Sequence, residues 1–109
     1  MVTTEDLTRT MPIWGSVEDN YVVCWSDNSQ DVRELVRSLK DCRVRAKTSH
    51  SPYVGHRTLA VHHKDLRAAV KCLKYIGEEN VAEGYEEWRK YLQKVSLETA
   101  RWLSWKRMQ

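Results

Sequence analysis

Arg43, Arg45 and Lys47 stand at every second position of a segment whose intervening residues, Cys42, Val44, Ala46 and Thr48, are apolar or small. Cations at period two share one side of a β-strand, where they can neutralise a row of phosphates together. If residues 57–62 return antiparallel to this segment, Thr58 and His62 join that face and Arg57 adds a fourth cation to the hairpin. The preceding strand contributes either Tyr21 with Trp25 or Val22 with Cys24. An aromatic such as Trp25 beside guanidinium groups is a platform on which bases stack. Nothing here reads a base sequence, because no RNP, KH, zinc-finger or helix-turn-helix signature is present, so RNA and DNA are equally served. The competing reading lays the C-terminal helix over this face, with Glu78, Glu79, Glu83, Glu86 and Glu87 pairing the cations in a structural ion network.

Other chemistry is thinly supported. His50, His56, His62 and His63 fall within fourteen residues, but without CxxC, HExxH or a similar cluster they read as loop and surface histidines. His56-Arg57-Thr58 matches a short phosphoesterase element that needs a second copy, which is absent. There is no GxSxG elbow, Gly-rich phosphate loop or paired-carboxylate signature. We therefore expect no enzyme, no catalytic residue, no metal and no cofactor.

A second group of residues suits protein contact. Trp102 and Trp105, with Arg101, Lys106 and Arg107, are types enriched at interfaces. Trp102 also serves as an anchor of the helix's apolar stripe, whereas Trp105 lies off it. The alternative function is accordingly a protein-binding modulator or inhibitor, of the kind viruses and mobile elements encode, docking through this aromatic helix and the basic surface. Dimerisation through the same helix is a third reading, so the chain is expected as a monomer or homodimer.

The elements that would carry these groups follow from periodicity. Residues 1–19 show none and read as an irregular arm, with Met11, Ile13 and Trp14 against the core. Residues 20–26 are apolar on both faces, as in a central strand. Asp27 and Gln30 have capping-box spacing, and Val32, Leu35, Val36 and Leu39 recur at helical intervals. Residues 42–48 and 57–62 form a hairpin around a Ser-Pro and Gly loop. Leu66, Ala69, Val70, Leu73 and Ile76 make a second helix, stopped by Gly77, with Lys64, Arg67, Lys71 and Lys74 as its solvated side. Asn80 and Glu83 cap a third, whose stripe runs from Val81 to Trp102. Unbroken over residues 81–106 it would reach ~39 Å, too long for a domain of about 13 Å radius of gyration, so it wraps, projects or breaks near Ser96.

The expected fold is α+β: residues 20–77 as a three-stranded, antiparallel-containing sheet in βαββα order, split βαβ and ferredoxin-like, with residues 80–107 as an added long helix. One domain fits 109 residues. The formal charge of +3 conceals segregation: Lys/Arg against Asp/Glu count one to five in residues 1–30, eleven to four in 31–74 and six to six in 75–109. The opening twenty residues hold no signal-peptide apolar run, and no stretch approaches a membrane span. Cys24, Cys42 and Cys72 form an odd, widely spaced set, read as reduced core thiols of a cytoplasmic protein. The partners expected are nucleic acid or a protein, and no membrane.

Overall fold

The computed structural model describes residues 3–109. Its elements are α1 (Thr4–Thr10), β1 (Ser16–Glu18), β2 (Tyr21–Asn28), α2 (Ser29–Asp41), β3 (Ala46–Ser49) and β4 (His56–His62), then a 3-10 turn (His63–Asp65), α3 (Leu66–Tyr75), α4 (Glu79–Lys94) and α5 (Leu97–Arg107). The four strands form one sheet of order β1-β2-β4-β3, antiparallel at every pairing. The chain is thus mixed α+β, with an antiparallel sheet and five helices.

The sheet has four strands where three were expected, and the full ferredoxin-like order is not obtained. The fourth strand of that order would follow the second helix of the unit; here β1, from the supposedly irregular arm, takes the edge beside β2. Asp19 adopts φ 53° in the tight turn between Glu18 and Tyr21, which are paired in register. A two-residue connection with a left-handed Asp is a hairpin signal. The arm also holds α1, closed by a reciprocal cap between Thr3 and Asp6.

Val17, Val22, Leu59, Val61 and Ala46 point from the sheet into one core shared with α2, α3, α4 and α5. Val23 and Ala60, which alternate with them, stand outside that core. All the core helices therefore lie on one side. The other face carries Tyr21, Lys47 and Thr58 together with Val23 and Ala60, which are buried although they stand outside that cluster. Among the described residues no ion pair joins the glutamates of α4 to Arg43, Arg45 or Lys47.

Helix ends account for most of the boundary differences. The α2 cap is Asn28, whose side chain accepts from the Asp31 amide, so the Asp27–Gln30 capping box does not form and β2 runs on to Asn28. At its other end the amides of Arg43 and Val44 donate to the carbonyls of Lys40 and Leu39. That is a Schellman closure with Arg43 as its left-handed residue at φ 63°. Residues 42–45 thus belong to a helix terminus, and β3 begins only at Ala46. Gly77, at φ 86°, closes α3 in the same way, with Glu78 donating to the Leu73 carbonyl. That turn starts α4 at Glu79 without a side-chain cap, so the expected Asn80–Glu83 pair does not form. Val95 is extended, and Ser96 caps α5 by accepting from the Thr99 amide.

Buried aromatics of α4 hold the N-terminal arm. Trp88 Nε1 donates to the Trp14 carbonyl at 2.8 Å and Tyr91 Oη to the Leu7 carbonyl at 2.6 Å, giving each polar tip a partner within an apolar setting. Gly15, at φ 105°, passes so close that a Cβ there would lie 2.6 Å from Cys24 Cβ. Met11 is buried as expected, but Ile13 and Trp14 are exposed. Cys42 and Cys72 form a disulfide, Cα–Cα 6.5 Å, joining the end of α2 to α3. This pairing runs against the expectation of reduced thiols at Cys42 and Cys72; Cys24 is free. No helix among the described residues is long and apolar enough to cross a membrane.

Candidate nucleic-acid interface

The three cations read as one row have three different fates. Arg43 sits on the left-handed cap of α2, exposed and off the strand. Arg45 is held by Asp65, with Nε and Nη2 donating to the two carboxylate oxygens at 2.9 and 3.1 Å and the Arg45 amide adding a third bond. These bonds hold Asp65 down at about 2, well below the usual carboxylate range. Lys47 alone of the three stands on the sheet face away from the core cluster, its Nζ 4.3 Å from the centroid of Tyr21. A carboxylate twenty residues away in sequence, not the glutamates of α4, neutralises one of the three. Of those glutamates, Glu86 pairs with Arg89 on its own helix.

The aromatic choice is settled by a bulge. Tyr21 pairs with His62 and Val23 with Ala60, but a register shift then brings Trp25 opposite Leu59. An extra residue reverses the alternation, so Tyr21 faces outward while Trp25 packs against the core. Trp25 is therefore no stacking platform. His62 does lie on the same face as Tyr21, but it is buried and its Nδ1 accepts from the Lys64 amide. Burial first, then the Arg45 charge, holds His62 below the ordinary imidazole range; burial and the stacked His62 ring do the same for His63. Neither supplies positive charge at neutral pH. Arg57 alternates with Thr58 and so lies on the helix side, at the end of the sheet.

What the fold assembles instead is a pair of cationic grooves. One, of about 460 Å³, lies between the first turn of α2 and the β3–β4 loop; Arg33, Arg57, His50, His56 and Tyr53 line it. The other, of about 430 Å³, lies at the opposite end of the sheet and is lined by Lys40, Arg43, Arg45 and Tyr21. No carboxylate lines either groove directly, in a chain with fifteen Asp and Glu, although Asp65 holds Arg45 of the second from behind. Arg33, Lys40 and Tyr53 escape a sequence reading of strands alone, because Arg33 and Lys40 look like the solvated side of a helix. The loop's Ser-Pro-Tyr-Val-Gly run was the available signal: an aromatic at a polar turn, with Tyr53 68% exposed.

The other cationic and aromatic groups lie elsewhere. On α3, Arg67, Lys71 and Lys74 are exposed beside its buried stripe. On α5, Trp102 and Trp105 are exposed, with Lys106 Nζ 5.6 Å from the Trp102 ring. Arg101 donates to the Asp19 carbonyl, and Arg107 to those of Pro12 and Gly15. These two arginines fasten α5 to the N-terminal arm. Among the described residues, no group of three or more His, Cys, Asp or Glu gathers as a metal site. No family model, curated protein or solved structure matches this chain.

Proposed function

We propose that the chain is a non-enzymatic module that binds nucleic acid, receiving backbone phosphates in its two grooves and on Lys47 between them. One observation carries this reading: two cationic grooves at opposite ends of one sheet, each with a tyrosine, the first with no carboxylate in its lining and the second with only Asp65 bound to Arg45. Such surroundings favour a polyanion that also offers flat rings, since guanidinium groups pair with phosphate and tyrosine stacks on a base. Arg45 is a weaker participant than Arg33, Arg57 or Arg43, because Asp65 already holds it. A nucleic-acid ligand goes with action inside a cell, where the Cys42–Cys72 pair would tend to be kept reduced.

Affinity measured against salt is the direct test. Phosphate contacts release counterions, so log affinity should fall linearly with log salt, by about 0.7 per contact on a single strand. A flat response, or no binding at low salt, removes the reading.

A protein-docking reading has its own support in Trp102 and Trp105, 48% and 57% exposed on one side of α5. Trp102→Ala with Trp105→Ala should abolish capture of a protein partner while leaving oligonucleotide affinity unchanged. Loss of both activities together would tie the tryptophans to nucleic acid instead.

A further inference from the structure

We infer that the Cys42–Cys72 pair is a reversible redox site that sets how firmly the cap-end groove holds its ligand, the identity of that ligand resting on the nucleic-acid reading above. Cys42 is the residue that ends α2, and the groove's Lys40 and Arg43 stand on either side of it in sequence. Cys72 reaches it from α3. The bond is thus fixed to the turn that presents the two groove cations that make no ion pair among the described residues. That turn holds Arg43 at φ 63°, a conformation that favours glycine, and is closed by the bonds from the Arg43 and Val44 amides to the Lys40 and Leu39 carbonyls. The side chain's preference to leave the left-handed region works against this closure, and the crosslink one residue away works for it. Opening the bond removes that restraint while Leu39 of α2 and Leu73 of α3 stay buried in the shared core. The cap-end turn is therefore the element whose balance shifts, and the loop-end groove, at the other end of the sheet, is untouched.

Two observations favour a bond that opens and re-forms over a permanent staple. Cys42 is exposed whereas Cys72 is only 5% exposed, so an external thiolate meets the Cys42 sulfur first. Its attack breaks the bond between the two sulfurs, forms a mixed disulfide at Cys42 and releases Cys72 as a thiolate that takes up a proton. A second external thiol then displaces Cys42, so that two thiols such as glutathione are oxidised to one disulfide while the protein disulfide is reduced to two thiols. The dithiol form is also provided for: Cys72 Sγ lies 3.6 Å from the Ser38 carbonyl, which accepts from the buried thiol once the bond is open. One fold therefore satisfies both redox states. The compartment argues the same way. A chain that meets nucleic acid inside a cell works where thiols are kept reduced, and a disulfide there is usually transient and redox-sensing. The resting form is then the dithiol with a looser cap; oxidation closes the turn and tightens binding.

The test equilibrates the full chain in glutathione buffers of varied thiol-to-disulfide ratio, the oxidised fraction being read by thiol labelling and mass. The bond should open reversibly across the ratios found in cells; a pair that stays closed there is a permanent staple and overturns the inference. Hydrogen exchange at the Arg43 and Val44 amides should be about tenfold faster in the dithiol form, with the amides of β4 unchanged. Equal protection of the two amides in both forms overturns the inference as well. Anisotropy with labelled oligouridylate at low salt should show the oxidised form binding about fivefold more tightly, and saturating oligonucleotide should shift the glutathione equilibrium toward the disulfide by that same factor. The Cys42→Ser/Cys72→Ser variant should bind as the dithiol form does and ignore glutathione. Arg43→Gln should lose most of the redox difference; a full difference in that variant places the effect outside the cap and overturns the inference. Equal affinity of the two forms of the native chain does the same while nucleic-acid binding survives. If neither form binds any oligonucleotide at low salt, the nucleic-acid reading fails, and the glutathione and exchange measurements still decide whether the pair is a switch.

Discussion

The two grooves are alike in composition and unlike in construction. At the loop end, Arg33 projects from α2 and Arg57 from β4, and neither makes an ion pair among the described residues. At the cap end, Arg45 is clamped by Asp65, Arg43 is set by a Schellman turn, and the neighbouring Cys42 is bonded to α3. One groove holds its charge free of ion pairs; the other holds part of its charge inside the fold. The lesson is that a count of cations overstates available charge wherever a carboxylate from a distant segment comes within hydrogen-bond reach, since the folded pair already makes the charge-assisted bonds a phosphate would offer.

Breaking the staple should have the largest effect. The disulfide closes a loop of sequence separation 30, which chain entropy alone makes worth about 3 to 4 kcal/mol. Cys42→Ser, or a strong reductant, should lower the melting temperature clearly and disturb the cap-end groove first, leaving contacts of the loop-end groove intact. Identical melts with and without reductant would refute this.

Removing the free charge comes next. Arg33→Gln with Arg57→Gln should weaken oligonucleotide binding by roughly ten- to a hundredfold at low salt, and should flatten the salt dependence by about 1.4 if each arginine meets one phosphate of a single strand. The salt slope matters more than the affinity, because a purely structural loss would leave the slope of the remaining binding unchanged.

The smallest effect sharpens the contrast from the other side. Asp65→Asn releases Arg45, so binding should strengthen a few-fold and the slope should steepen by about 0.7. The same variant has an acid signature. Asp65 titrates at about 2 in the folded chain, below the ordinary value near 4. Its stabilising contribution is therefore complete above about pH 4 and lost as pH falls toward 2. An acid unfolding curve should lose that component in Asp65→Asn, and curves that superimpose across this window would show that the pair contributes nothing measurable.

Much of the scaffold was legible in local signals. The stripe Val32, Leu35, Val36 and Leu39 is the buried side of α2, and Gly77 ends α3, because helical burial and left-handed closure depend on residues only a few positions apart. The reading failed where two local codes overlapped. Residues 42–48 alternate as a strand should, but residues 39–44 also close a helix, and the two amide bonds of that closure, with Leu39 and Val44 both buried in the core, prevail over the alternation. The arm was misread for a different reason: β1 has three residues, too few to show a period, and is fixed by pairing with β2 and by Ser104 Oγ, which accepts from the Val17 amide.

The sequence by itself determined an α+β chain with a basic middle, amphipathic helices over an antiparallel hairpin, and a loop rich in turn formers; these rest on composition and short-range spacing. Only the tertiary structure decided which charges and rings a ligand can reach. A one-residue bulge turned Trp25 inward and left Tyr21 outside. A carboxylate brought round by β4 took Arg45, and α2 brought Arg33 from its side and Arg43 from its C-terminal cap to the grooves. Such contacts join residues far apart along the chain, and no local period encodes them.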